Sequence, residues 1–117
     1  MKALMISRDS LLHAEIAAQG SARMPPVQLV ASRNGLRDAV ERLMPEPPAL
    51  VIFDASEVAA EEAELVERLS KHYPSASFIL LTREAQQDLL IRAMRAGMRE
   101  VLQLPLVHRA FHEAMDR

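Results

Sequence analysis

Five short apolar runs recur along the chain, ALMIS (3–7), VQLVAS (27–32), ALVIFD (49–54), SFILLT (77–82) and REVLQL (99–104), each followed by a longer segment of helical periodicity. No two-residue turn of the hairpin kind joins consecutive runs. The strands must therefore run parallel, connected by helical crossovers. ALVIFD is apolar without interruption up to its final aspartate, which leaves it no wet face and puts it at the centre of the sheet. The repeat predicts an α/β unit with helices on both faces of a five-stranded parallel sheet.

Right-handed crossovers make such a sheet open and doubly wound. The flavodoxin-like order 2-1-3-4-5, in three α/β/α layers, is the common solution for a chain of 117 residues, a single domain's length. Asp9 is the natural N-cap of SLLHAEIAAQ (10–19) and Gly20 its expected stop. Asn34 can cap LRDAVERLM (36–44), with Leu36, Val40, Leu43 and Met44 in one stripe, until PEPP (45–48) ends it. A helix over roughly 58–72 places Glu61, Glu62 and Glu64 before Arg68 and Lys71, the order that suits the helix dipole, and Pro74 closes it. AQQDLLIRAMRA (85–96) ends at Gly97, and LVHRAFHEAMDR (106–117) is the last helix.

Composition removes several function classes. With 14 Lys and Arg against 16 Asp and Glu, the formal charge of −2 offers no basic field for a phosphate backbone, and one Tyr with three Phe cannot build a base-stacking platform. Nucleic-acid binding is not expected. The absence of cysteine excludes disulfides, thiolate metal sites and cysteine nucleophiles, and suits a reducing, cytoplasmic setting. The opening MKALMIS is too short for a signal peptide or a membrane span, so no direct membrane insertion is expected. Gly20, Gly35 and Gly97 lie too far apart to write a nucleotide-binding loop, and no cofactor is expected. His108 and His112 stand four apart without a third donor, and read as two solvated helix residues rather than a metal pair.

In open parallel sheets, ligands bind at the carboxyl ends of the strands flanking the switch in strand order, here Ser7-Arg8-Asp9 and Asp54-Ala55-Ser56. At this edge, and over nearly its whole length, the chain resembles a response-regulator receiver (CheY-like) domain. Such domains carry an acidic pair after the first strand, a phosphate-accepting Asp ending the third, a Thr or Ser ending the fourth, and a Lys before a Pro ending the fifth. By position the acceptor falls on Asp54, the hydroxyl on Thr82 and the proline on Pro105. The acidic pair falls on Ser7 and Arg8, the lysine on Leu104, and the family's aromatic switch residue on Val101. The resemblance thus implies a degenerate pocket, short of oxygen ligands for magnesium and without a cation to clamp a phosphoryl group. Arg8 is expected to pair with Asp54 in place of the metal. Asp54 is then an inert strand-end carboxylate, Thr82 an ordinary strand-end hydroxyl, and no enzymatic activity is expected.

Residues 88–106, DLLIRAMRAGMREVLQLPL, are similar to the atypical receiver domain at the N-terminus of TadZ/CpaE pilus-assembly proteins, where a RAG-hydrophobic-RE-(V/F)-L-x-x-P pattern recurs and the lysine is commonly absent. This resemblance implies a phosphorylation-independent interaction module for assembly or polar placement of the Flp/Tad type IVb pilus machinery, with 1–117 preceding a ParA/MinD-like ATPase domain. Expected partners are pilus-assembly and secretion proteins and a second copy, as a homodimer. Leu89, Ile91, Met94, Leu106 and Phe111 form the candidate interaction face, because one helix cannot bury Leu89, Leu90, Ile91 and Met94 on a single narrow stripe. Two other readings stay open: a phospho-accepting receiver using Asp54, and a flavodoxin-like ligand-binding domain or enzyme, for which no glycine-rich turn speaks.

Overall fold

Leu50–Asp54 (β3) is buried at every position in the computed structural model, which describes residues 2–32, 48–54, 63–83, 87–95, 97–98 and 100–116. It pairs in parallel with β1 (Lys2–Ile6) on one side and β4 (Ser77–Thr82) on the other. β2 (Gln28–Ser32) and β5 (Glu100–Gln103) are the edges, giving the expected order β2-β1-β3-β4-β5. The described helices are α1 (Ser10–Ser21), α2 (Ala63–His72), α3 (Gln87–Arg95) and α4 (His108–Met115). The helix expected over 36–44, and the start of the one expected over 58–72, lie outside the described residues. No described helix is long and apolar enough to cross a membrane.

Because side chains alternate along a strand, the same three central strands feed two apolar layers. Leu4, Ile6, Val51, Phe53, Phe78 and Leu80 meet Ala93 of α3 and Met98 on one face. Ala3, Met5, Leu50, Ile52, Ile79 and Leu81 meet Leu12 and Ile16 of α1 and Phe111 of α4 on the other. Phe53 and Phe78, on neighbouring strands, hold their rings 6.0 Å apart and nearly parallel. Burial of each large side chain here contributes about 1.5–3 kcal/mol, which makes these layers the main source of stability.

The second layer is closed at its rim by polar contacts between α1 and α4. His108 Nε2 meets Glu15 Oε1 at 3.1 Å, and His112 Nε2 meets Gln19 Oε1 at 3.0 Å. His112 Nδ1 lies 2.9 Å from the Arg23 guanidinium, which also pairs with Asp116. The i, i+4 spacing of the two histidines is therefore a seam between helices, more specific than the solvated pair that spacing alone suggests.

Asp9 caps α1 as expected, its Oδ1 accepting from the N–H groups of Leu11 and Leu12 at 3.1 Å each. Gly20 departs from expectation. The helix continues through Ser21, and Gly20 sits buried inside its last turn, where an added Cβ would lie 3.3 Å from Val27 Cβ. Its carbonyl accepts from Val27 N–H at 3.0 Å, so the glycine serves close packing of helix on incoming strand. Gly97 ends α3 as expected, at φ +93°. Gly97 N–H reaches the Met94 carbonyl and Met98 N–H the Ala93 carbonyl, the paired bonds of a Schellman motif, with Ala93 and Met98 both in the core.

A Cβ at Gly97 would also stand 2.5 Å from Ser70 Oγ and 2.9 Å from Ser70 Cβ on α2. Gly97→Ala is expected to lower the unfolding free energy by about 1–3 kcal/mol through positive-φ strain and this clash, read as a fall in the urea midpoint at unchanged m-value.

Candidate functional site

The buried polar side chains among the described residues are Ser7, Asp54 and Thr82, and they cluster where β1, β3 and β4 end. The three strands are apolar through their interiors and turn polar at this end. A buried carboxylate costs free energy unless it is hydrogen-bonded, so the partners of Asp54, 8% exposed, define the site.

Ser7 Oγ donates to Asp54 Oδ2 at 2.8 Å and accepts from Asp9 N–H at 3.1 Å. Its hydroxyl is thus engaged both as donor and as acceptor. Asp9 is equally committed: Oδ1 caps α1, and Oδ2 takes the Arg83 guanidinium at 3.1 Å. Arg83 was not legible as a site residue from sequence. The signal available was its place one residue past Thr82, at the end of the strand that neighbours β3.

Arg8 differs from expectation. It is exposed, and the described hydrogen bond to Asp54 comes from Ser7 instead. Alternation explains the place of Ser7, because residue 7 continues the series of Ala3 and Met5 on the face shared by Leu50, Ile52 and Asp54, whereas residue 8 follows Leu4 and Ile6 on the other face. Leu104, at the lysine's position, is buried in the layer of Leu12, Ile16 and Phe111, while its N–H donates to the Thr82 carbonyl at 2.7 Å. Core packing occupies the place of a phosphate-binding cation. Val101 is half-buried against the other layer.

The residues of the expected docking face divide. Ile91 and Met94 on α3 are exposed, 42% and 68%. Phe111 is core, because α4 turns Phe111 and Ala114, three apart, onto the sheet, and Leu106 packs partly buried against that same layer. These two belong to the opposite side of the sheet from α3. The side chain of Leu89 lies outside what the structure describes.

The donor set at this edge does not suit a hard divalent cation, which wants several oxygens around it. Asp54 is joined by a neutral hydroxyl, both Asp9 oxygens are engaged, and among the described residues no group of three His, Cys, Asp or Glu is placed to share an ion.

No protein-family model matches the chain, and comparison with curated proteins finds no match either. Solved structures do match. A protein from Burkholderia pseudomallei described as pilus assembly-related shares 28% identity, covering 100% of this chain and 87% of that one, with a TM-score of 0.87. A CpaE pilus assembly protein from Burkholderia thailandensis shares 25% identity over 100% of this chain and 99% of that one, at a TM-score of 0.80. A CheY-like receiver domain protein from Methanospirillum hungatei, 17% identical, matches in fold over 98% of this chain and 90% of that one, at 0.82.

Removing the hydroxyl tests the site's structural role. Ser7→Ala deprives Asp54 of a donor and Asp9 N–H of an acceptor, and is expected to cost about 1–3 kcal/mol in urea unfolding. With its strand order intact, its strand-end aspartate hydrogen-bonded to serine and Leu104 in the core, the chain has the flavodoxin-like fold of CheY-like receiver domains and is similar along its whole length to pilus-assembly proteins.

Proposed function

We propose that the domain is a phosphorylation-independent, non-enzymatic interaction module acting in pilus assembly. The observation that carries this reading is the Ser7–Asp54 hydrogen bond, which fills with a neutral hydroxyl the place where a receiver presents acidic metal ligands. The buried Leu104 supports it from the far side of the edge. The link to pilus assembly is supported by similarity to the two Burkholderia proteins. In the TadZ/CpaE arrangement, the module would precede a ParA/MinD-like ATPase domain and bring it to the Flp/Tad machinery, at a cell pole or the inner-membrane face, through partners.

Binding in this reading falls to the surface. Ile91 and Met94 expose apolar area on α3 between charged neighbours, an arrangement that suits contact with other assembly proteins or with a second copy.

The competing reading keeps Asp54 as a phosphate acceptor, since the carboxylate is retained at the end of β3. Incubation with Mg²⁺ and acetyl phosphate, followed by intact-mass measurement, separates the two. No mass gain is expected. A phosphoryl adduct on the wild type that disappears in Asp54→Asn would overturn the proposal in favour of a signalling receiver.

A further inference from the structure

We propose that copies of the domain associate head to tail, α3 of one copy seating in the groove between α1 and the β5–α4 connection of the next. The inference rests on the reading of the domain as a self-associating module and adds the geometry of that contact. The groove is a cavity of about 160 Å³. Leu12 and Leu104 form its buried base, Pro105 and Leu106 continue it, and Leu11, 82% exposed, stands at its rim. A cavity of ~150 Å³ accommodates a benzene ring, so the space suits one large apolar side chain.

Charge selects the occupant. Asp9, Glu15 and Arg83 line the groove, two carboxylates against one guanidinium. On α3, Asp88, Arg92 and Arg95 surround Ile91, two guanidiniums against one carboxylate, and Met94 projects beside them at 68% exposure. Among the described residues, neither Arg92 nor Arg95 makes an ion pair. Glu15 is held by His108 at 3.1 Å, and an arginine, with its fixed charge and forked donors, is the stronger partner for that carboxylate. Met94 is long, unbranched and adaptable, which suits an irregular hole.

The same charges disfavour a two-fold contact through α3, which would set two faces of the same net charge, each with two guanidiniums and one carboxylate, against each other. The complementary surface lies across the sheet, on the α1 and α4 side. A contact between two different faces of the same molecule is heterologous and leaves a free face at each end, so assembly continues beyond two copies. Val107 supports a binding role at the groove's margin. It is the N-cap of α4, makes no side-chain cap bond and is 60% exposed, where Ser, Thr or Asp would serve the helix better.

The test is sedimentation velocity over a concentration series with wild type, Met94→Glu and Leu11→Glu, each alone and the two variants mixed. Both substitutions fall on exposed side chains, and circular dichroism verifies folding. Wild type is expected to grow past the dimer, each variant alone to associate at least roughly tenfold more weakly, and the mixture to regain a one-to-one complex that grows no further. Loss of association in Met94→Glu with Leu11→Glu unaffected would replace the proposal with a two-fold α3 dimer, leaving self-association standing. A wild type that stays monomeric throughout would remove self-association and leave phosphorylation independence untouched.

Discussion

A carboxylate at the end of a strand buried on both faces has to find its hydrogen bonds inside the protein, and that requirement organises the carboxyl edge of this sheet. Ser7 supplies the donor at 2.8 Å, tying β1 to β3 where their backbone ladder ends. The same hydroxyl accepts from Asp9 N–H, and Asp9 in turn caps α1 and pairs with Arg83 beyond β4. One chain of polar contacts thus runs from the central strand through β1 to the first helix and across to the fourth strand. Every oxygen named in it is already engaged within the fold, so the contacts brace this edge.

Leu104 completes that change from the other direction. A lysine ammonium beside a phosphate needs water or an anion around it, whereas Leu104 lies in the apolar layer with Leu12, Ile16 and Phe111. Its burial links the end of β5 to the packing between α1 and α4, the same pair of helices that His108, His112 and Arg23 join at the rim. The side chain that fills the core here is the one that stands at the position of a receiver's lysine.

Much of the architecture was legible because it depends on period and punctuation. The runs at 49–54 and 77–82 could only be central parallel strands, and Asp9 and Gly97 act at the helix ends where their chemistry places them. Gly20 misled, because a glycine chosen for close approach to Val27 looks, in sequence, like one chosen for a positive φ. Arg8 misled for a related reason. Adjacency to the site suggested contact, but the two-residue period of β1 puts Ser7 on the face of Asp54 and residue 8 on the other. Arg83 and the His112–Arg23–Asp116 group connect residues far apart in sequence, and no local pattern announces such contacts. Phe111 was placed with the interaction face by its nearness in sequence to Leu106 and Val107, although polar residues flank it and its spacing with Ala114 turns it onto the sheet.

Resemblance to a reactive site can therefore report topology rather than chemistry. Asp54 and Thr82 stand where apolar strands must end, and a buried strand terminus needs a polar group that can hold neighbouring backbone and side chains in place; both positions meet that need whether or not phosphate is ever transferred. Arg8 and Leu104 occupy positions whose acidic and basic residues serve chemistry in a receiver, and here one faces outward while the other is core. The features shared with receivers are the ones the parallel sheet itself requires, and the features that differ are the ones only phosphoryl transfer would require. The sheet must be kept for the chain to fold, while groups that serve only phosphoryl transfer are under no structural obligation to remain.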